Sequence, residues 1–164
     1  MDHSVRYHPM QPGEEIQVID LVSRVFTQYV APLYSDDGIR EFMKYLDPSI
    51  LAERSKGDHR VQVAESHDEI IGMIEIRGYS HVALFFVATE QQRKGIGREL
   101  LNKAVRECIS INPDLAEITV NSSPNAVFAY RALGFTEKDK EKTVNGIRFV
   151  PMALKLTKFR STQQ

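Results

Sequence analysis

The chain predicts a mixed α/β fold, a single sheet with the element order β-α-α-β-β-β-α-β-α-β-β. Three observations carry this. The apolar run Val82-Ala83-Leu84-Phe85-Phe86-Val87 leads through a polar turn and two glycines into a helical pattern. Extended segments follow one another from Arg60 to Val87 with only short turns between them, as in an antiparallel meander. Asn145-Gly146, the strongest short hairpin signal, separates two further extended segments near the end of the chain.

Val5-Arg6-Tyr7-His8 alternates as a first strand and is ended by Pro9 and Pro12. Glu14 to Tyr29 carries apolar residues at Val18, Leu21, Val22, Val25 and Tyr29, a helical stripe. Glu14 and Glu15 stand in its first turn, where the helix dipole favours them, and Pro32 stops it. Ser35-Asp36-Asp37 is a cap for a second helix marked by Ile39, Phe42, Met43 and Leu46, which ends before Pro48; Ile50 to Arg54 adds a short turn. Arg60–Glu65, Ile70–Arg77 and Val82–Val87 are the meander strands. The helix after the glycines places Ile96, Leu100, Leu101, Ala104, Val105 and Cys108 on one face. Glu117–Val120 is a short β-branched strand. Ser123 and Pro124 start a helix as cap and first residue, and Gly134 closes it in a left-handed turn. Thr136–Val144 and Ile147–Leu156 form the last hairpin, where Pro151 predicts an edge or a bulge. One domain over residues 1–157 and a frayed tail over 158–164 are expected.

Composition bounds the function. The chain has 164 residues, 42% hydrophobic and 26% charged, as in a soluble globular domain. A formal net charge of −1 offers no basic field for nucleic acid or an anionic membrane. No run approaches the ~20 apolar residues of a membrane span, and the N-terminus lacks the regions of a signal peptide. The single cysteine, Cys108, excludes a disulfide within the chain and falls in a core pattern. A cytoplasmic location is expected. The five histidines show no metal-ligand spacing, so no metal is expected.

The run Gln92-Arg93-Lys94-Gly95-Ile96-Gly97 has the geometry of an anion site. Glycines let the backbone approach an oxyanion, and the first amides of the following helix have no intrahelical partner. Arg93, Lys94 and Arg98 add cations, with a solvated helix start as the structural alternative. The dinucleotide fingerprint fails, because Leu100 stands where its third glycine belongs, and no G-x-x-x-x-G-K-[ST] is present.

Gln92-x-x-Gly95-x-Gly97, after a strand and before an amphipathic helix, resembles the pyrophosphate loop Q/R-x-x-G-x-G/A of the GNAT family of N-acetyltransferases. Ser123-Pro124-Asn125-Ala126-Val127-Phe128-Ala129-Tyr130-Arg131-Ala132-Leu133-Gly134-Phe135 is similar to that family's later helix, with Ala126 and Tyr130 one turn apart. The resemblance spans roughly Val61 to Leu156. It implies helices on both faces of the sheet and two splayed central strands, Val82–Val87 and Glu117–Val120, whose free edges bind the pantetheine arm of coenzyme A.

By the same resemblance the chain is an acyltransferase that passes the acetyl group of acetyl-CoA to a primary amine by direct attack. Cofactor contacts then fall to the amides of Gln92, Arg93, Lys94, Gly95, Ile96, Gly97 and Arg98, and to Asn121, Asn125 and Phe128. Phe85 and Phe86 line the thioester end, at least one of them also being core, since alternation puts them on opposite faces. The Val87 amide is implied as the oxyanion donor. Tyr130 is implied as the acid that protonates the coenzyme A thiolate, against the alternative of a core tyrosine. The family's strand-start glutamate, which shares a face with the strand's last residue, is replaced here by His81, whose ordinary pKa near 6.5 suits a base. Glu75, acting through water, is the other candidate base, and the choice stays open.

The acceptor stays open too: a small-molecule or peptide amine, among them an amino acid, a polyamine or an aminoglycoside. Tyr29, Tyr34, Phe42 and Tyr45 could wall its site, and Asp36, Asp37 and Glu41 could attract a cationic amine; core aromatics and solvated acids are the alternative. The family commonly dimerises, so a homodimer is an expectation of the resemblance. Two other readings are an acyl-CoA-binding sensor or interaction module with little turnover, and a structural domain whose phosphate loop is incidental.

Overall fold

The computed structural model describes residues 4–157; the tail expected over 158–164 lies outside them. Thirteen elements follow in order among the described residues: β1 (Arg6–Pro9), α1 (Glu15–Tyr29), α2 (Asp36–Met43), α3 (Pro48–Ser55), β2 (His59–Ser66), β3 (Glu69–Arg77), β4 (His81–Val87), α4 (Ile96–Ile111), β5 (Glu117–Ser122), α5 (Val127–Ala132), β6 (Thr136–Glu137), β7 (Lys142–Val144) and β8 (Ile147–Lys155). The strands form one sheet in the order β1-β2-β3-β4-β5-β8-β6, with β7 also beside β8. Only the β4–β5 pair is parallel.

The core lies on both faces of β3, whose interior residues are all buried. On one face α4 packs Ile96 and Leu100 against Gly72. Its stripe Ile96, Leu100, Leu101, Ala104, Val105 and Cys108 is buried as the spacing requires. On the other face lie α1 and α3. Val18, Leu21, Val22, Val25 and Phe26 of α1 are buried, whereas Tyr29 at the end of the stripe is 37% exposed.

Three elements depart from the sequence expectation. The short turn expected at Ile50–Arg54 is the full helix α3, because Asp47 caps it from Ser49 and Ile50 while Pro48 takes the first position. Ser123 makes no capping bond; Pro124–Ala126 forms a 3₁₀ turn before α5 begins. Pro151 is not on an edge strand, since β8 lies between β5 and β6. Its carbonyl accepts from the Lys138 amide. Its ring nitrogen therefore faces the same side, where the outer strand is interrupted between Glu137 and Lys142. The missing donor takes nothing from the ladder.

The β7–β8 turn, Asn145-Gly146, has positive φ at both residues (53° and 80°) and is pressed against the start of α2. There Ser35 caps the helix by accepting from the Gly38 amide at 3.1 Å. A Cβ on Gly38 would overlap the Gly146 carbonyl, and one on Gly146 would overlap the Ser35 hydroxyl and the Gly38 backbone. Arg148 adds a bond from Nη1 to the Leu33 carbonyl at 3.4 Å. This clasp joins the α1–α2 segment to the last hairpin. Gly38→Ala should cost about 2 kcal/mol or more, because backbone, not a flexible side chain, must give way; urea unfolding with an unchanged slope will measure it.

Candidate active site

Strands β4 and β5 pair over only two rungs, His81–Thr119 and Val82–Val120, and then part. At the same place β4 carries an extra residue, Ala83, against β3: Glu75 opposes Leu84 while Ile76 opposes Val82. A bulge of this kind bends and twists the strand that holds it. The hydrogen bonds show which groups line the split. Ala88 donates to the Ile71 carbonyl, and amides alternate along a strand, so those of Val87 and Phe85 face away from β3 into the split. Across it, Thr119 donates to the Ser80 carbonyl and Leu156 pairs with Ala116. The same alternation turns the backbone of Asn121 into the split. Two facing strand edges with free backbone groups suit an extended, amide-bearing ligand.

The glycine loop stands at the mouth of the split. Gln92 donates from its side-chain nitrogen to the Val87 carbonyl at 3.0 Å, latching the loop to the end of β4. Arg93 and Gly95 both have positive φ (65° and 84°). Gly95 is the N-cap of α4 and supplies no side-chain acceptor. The amides of Ile96, Gly97 and Arg98 are thus left outward, where the dipole favours an anion. At Gly97 a Cβ would lie 3.6 Å from the Phe85 ring, in ordinary contact, so the loop rests against the strand there. The cations divide: the Arg98 guanidinium donates to the Ala132 carbonyl at 2.9 Å, Lys94 lies 3.4 Å from the Gln91 side chain, and Arg93 is exposed.

Tyr130 reaches the split from the α4–α5 face. Its ring meets Phe85 edge-on (centroids 6.0 Å apart) and Phe135 (5.2 Å). The end of α5 sets this geometry. Gly134, at φ 105°, lets its own amide bond back to Arg131 and that of Phe135 to Tyr130, a Schellman closure that seats Phe135 on Tyr130. The Tyr130 ring is buried, and burial pushes its phenol well above the usual tyrosine value. The hydroxyl has no hydrogen-bond partner among the described residues and is not sealed from solvent. The phenol thus stays protonated and keeps a free donor.

His81 lies on the other face. The extra residue Ala83 breaks the alternation, so His81 shares a face with Leu84 and Phe86, and not with Val87 as simple alternation would have it. Its Nδ1 pairs with Thr119 Oγ1 at 2.8 Å, which leaves Nε2 without a partner among the described residues. Desolvation, and then the charge of Arg77, hold its pKa below the ordinary histidine value.

Glu75 is placed differently. It is fully buried, with Arg54 donating from Nε at 2.6 Å and from Nη2 at 3.1 Å, His59 Nδ1 at 2.6 Å and the Tyr45 hydroxyl at 3.4 Å. Arg54 also donates to the Tyr45 carbonyl and stacks 3.6 Å above the Tyr45 ring. Burial and Glu75 together push the Tyr45 phenol up to about 12. All the carboxylate's acceptor capacity toward this face is used, beside the bulge, in tying α3 to the sheet.

The remaining expectations sort by contact. Phe128 is 78% exposed and flanked by Arg131 at 5.2 Å; Asn125 lies in the 3₁₀ turn before α5. Phe42 stacks on buried Phe26 at 4.1 Å with Tyr34 edge-on to both, so these aromatics extend the core. On α2, Asp37 pairs with Arg40 and Glu41 with Lys44. These four side chains line a groove of about 430 Å³ beside the hairpin turn, with the acids matched by cations. A second groove, about 580 Å³, runs between α1 and Thr89–Glu90. His8, Glu14 and Glu65 converge within 4.8 Å, where Arg6 pairs with Glu65 and Glu14 accepts from the Gln11 amide. Cys108 is buried, and burial pushes its thiol up to about 11.

Sequence reasoning missed Arg54, Thr119 and the bulge at Ala83. The signal for Arg54 was present: one glutamate inside the apolar strand Ile70–Ile76 requires a buried cation. Replacing Glu75 by Leu should destabilise the fold by roughly 3–5 kcal/mol, because Arg54 is left buried and unpaired. The double replacement Arg54→Met with Glu75→Leu should recover most of that loss, as read by urea denaturation.

Residues 30–156 match the acetyltransferase (GNAT) domain family. Among solved structures, the chain is similar to PaiA N-acetyltransferase from Thermoplasma acidophilum in complex with coenzyme A, with TM-score 0.77, 18% identity, and 93% of this chain and 99% of that one covered. A GCN5-related N-acetyltransferase from Rhodopseudomonas palustris gives TM-score 0.76 at 19% identity, covering 94% and 98%. Spermidine N-acetyltransferase from Vibrio cholerae, in complex with CoA and spermine, gives 0.63 at 20%, covering 96% and 99%. These likenesses concern the fold, while the family match extends over most of the chain. With a split between β4 and β5 and an uncapped helix start at its mouth, the chain belongs to the GNAT family of acetyltransferases.

Proposed function

We propose that the chain transfers the acetyl group of acetyl-CoA to a primary amine by direct attack in the split between β4 and β5. The observation that carries this is the parting of the two strands after Val82 and Val120, with the uncapped start of α4 beside it. The residues fit coenzyme A. The amides of Ile96, Gly97 and Arg98 hold the pyrophosphate, and the edges of Phe85 and Asn121 hold the amide-rich arm. Acetyl-CoA, once bound, supplies an activated acyl group as its thioester.

The chain's own groups then divide the proton transfers between the two faces. His81 Nε2 accepts the amine's proton through water, with Thr119 fixing the ring through Nδ1. The Val87 amide donates to the thioester oxygen, an interaction that can contribute about 3–4 kcal/mol to the barrier. From the opposite face the Tyr130 hydroxyl gives its proton to the departing sulfur, its ring held by Phe85 and Phe135. Glu75 holds α3 and the bulge in place. No nucleophilic serine or cysteine is required; Cys108 is buried as an unreactive thiol.

Coenzyme A release from acetyl-CoA across a panel of amines, with thermal melting alongside, tests the reading. Turnover with at least one amine is expected. Tyr130→Phe should lower kcat by about 10²-fold with little change in Tm, since the lost hydroxyl bonds nothing in the fold. A melting shift with acetyl-CoA and no turnover with any amine would instead support the binding-module reading.

The pH profile tests His81. Only its neutral form accepts a proton, and its pKa is depressed, so kcat/KM should hold through about 6.5 and fall only at lower pH. His81→Gln should lower kcat and remove that acid limb.

A further inference from the structure

The open face of β4, β5 and β8 beside His81 is unbalanced in charge. Arg77 stands directly opposite His81 in the β3–β4 ladder, so their Cβ atoms lie about 5 Å apart on one face. It is exposed and forms no ion pair or hydrogen bond among the described residues. Two strand positions from Thr119, Glu117 receives both Lys138 (2.8 Å) and Lys155 (2.9 Å) on its two oxygens. Lys138 and Lys155 thus share one carboxylate, and Arg77, on β3 across β4, has none of its own among the described residues. Among the other acids nearby, Glu75 is held by Arg54 and His59, while Asp58 is exposed at the turn, 3.8 Å from the ring of His59. On α2, Asp37 and Glu41 are matched by Arg40 and Lys44.

We propose that the acceptor amine also carries an anionic group, a carboxylate or a phosphate, which Arg77 grips while Lys138 and Lys155 surround it with positive field. This rests on the amine-transfer reading above and narrows its acceptor. A guanidinium presents a planar fork of donors that matches the paired oxygens of either group. The same positive surroundings repel a second ammonium, so a polyamine is a poor fit. They also disfavour the charged form of the attacking amine, which must be neutral to react. The acceptor therefore differs in charge from spermidine.

The test compares β-alanine, O-phosphoethanolamine, n-propylamine and spermidine at saturating acetyl-CoA, in wild-type protein and in Arg77→Glu. In the wild type, one of the two anionic amines should exceed both others in kcat/KM by tenfold or more, and which one leads identifies carboxylate or phosphate. In Arg77→Glu that preference should reverse, through KM for the amine and not KM for acetyl-CoA. Calorimetric binding of the four amines to coenzyme A-loaded protein should show the same order without any turnover. A wild-type preference for propylamine or spermidine, or an order unchanged in Arg77→Glu, overturns the proposal. The two readings fail separately. If His81→Gln keeps the acid limb while Arg77→Glu reverses the charge order, the base assignment falls and the anionic acceptor stands.

Discussion

Two rungs of parallel pairing hold the halves of this sheet together, and everything at the site follows from their number. A third rung would consume the backbone groups of β4 that now face the split. A missing second would leave the halves joined mainly by helix packing. The restraint comes from both sides of the bifurcation. On one side β3 grips β4 through the full length of its ladder, with an extra residue turning the strand away. On the other, β8 pairs with all of β5. An open edge of free amides and carbonyls costs free energy unless water or a ligand satisfies it, so the split is tolerable in a cleft and unstable in a core.

The extra residue in β4 has a chemical consequence. By shifting alternation it sends His81 to the face of α1 and α3, while Phe85 and Tyr130 remain on the face of α4 and α5. On the proposed reading, the proton acceptor and the proton donor stand on opposite faces of the sheet. Such an arrangement lets the amine arrive from one face and the thiolate depart toward the other, so the two proton transfers do not compete for one position.

How far the sequence could be read follows from the range of the interactions involved. Elements written in local chemistry were legible: the α4 stripe, the Asn145-Gly146 turn, the Ser35 cap and the closure at Gly134 each depend on residues within a turn of one another. The glycine loop and Tyr130 were legible through a resemblance in pattern. The bulge at Ala83 was not, because alanine in an apolar run carries no mark of which strand will skip a rung. Ser123 read as a cap from its identity, yet the 3₁₀ turn displaced the start of α5. The partners of Glu75 come from α3, β2 and the segment before α3, and the Glu117 cluster from two separate strands and a loop. Such convergence is a tertiary property. It is also what separates the acids that could attract a cationic acceptor from those already neutralised.

The interlock of Gly38 and Gly146 has an evolutionary consequence. Each position forbids a side chain because of backbone contributed by the other, so neither can mutate to a larger residue while the other segment keeps its path. Change here has to come as a concerted remodelling of the α2 start and the hairpin turn, by altered loop length and not by substitution. The clasp therefore predicts where lineages descending from this chain will diverge by insertion and deletion, and where they will stay silent.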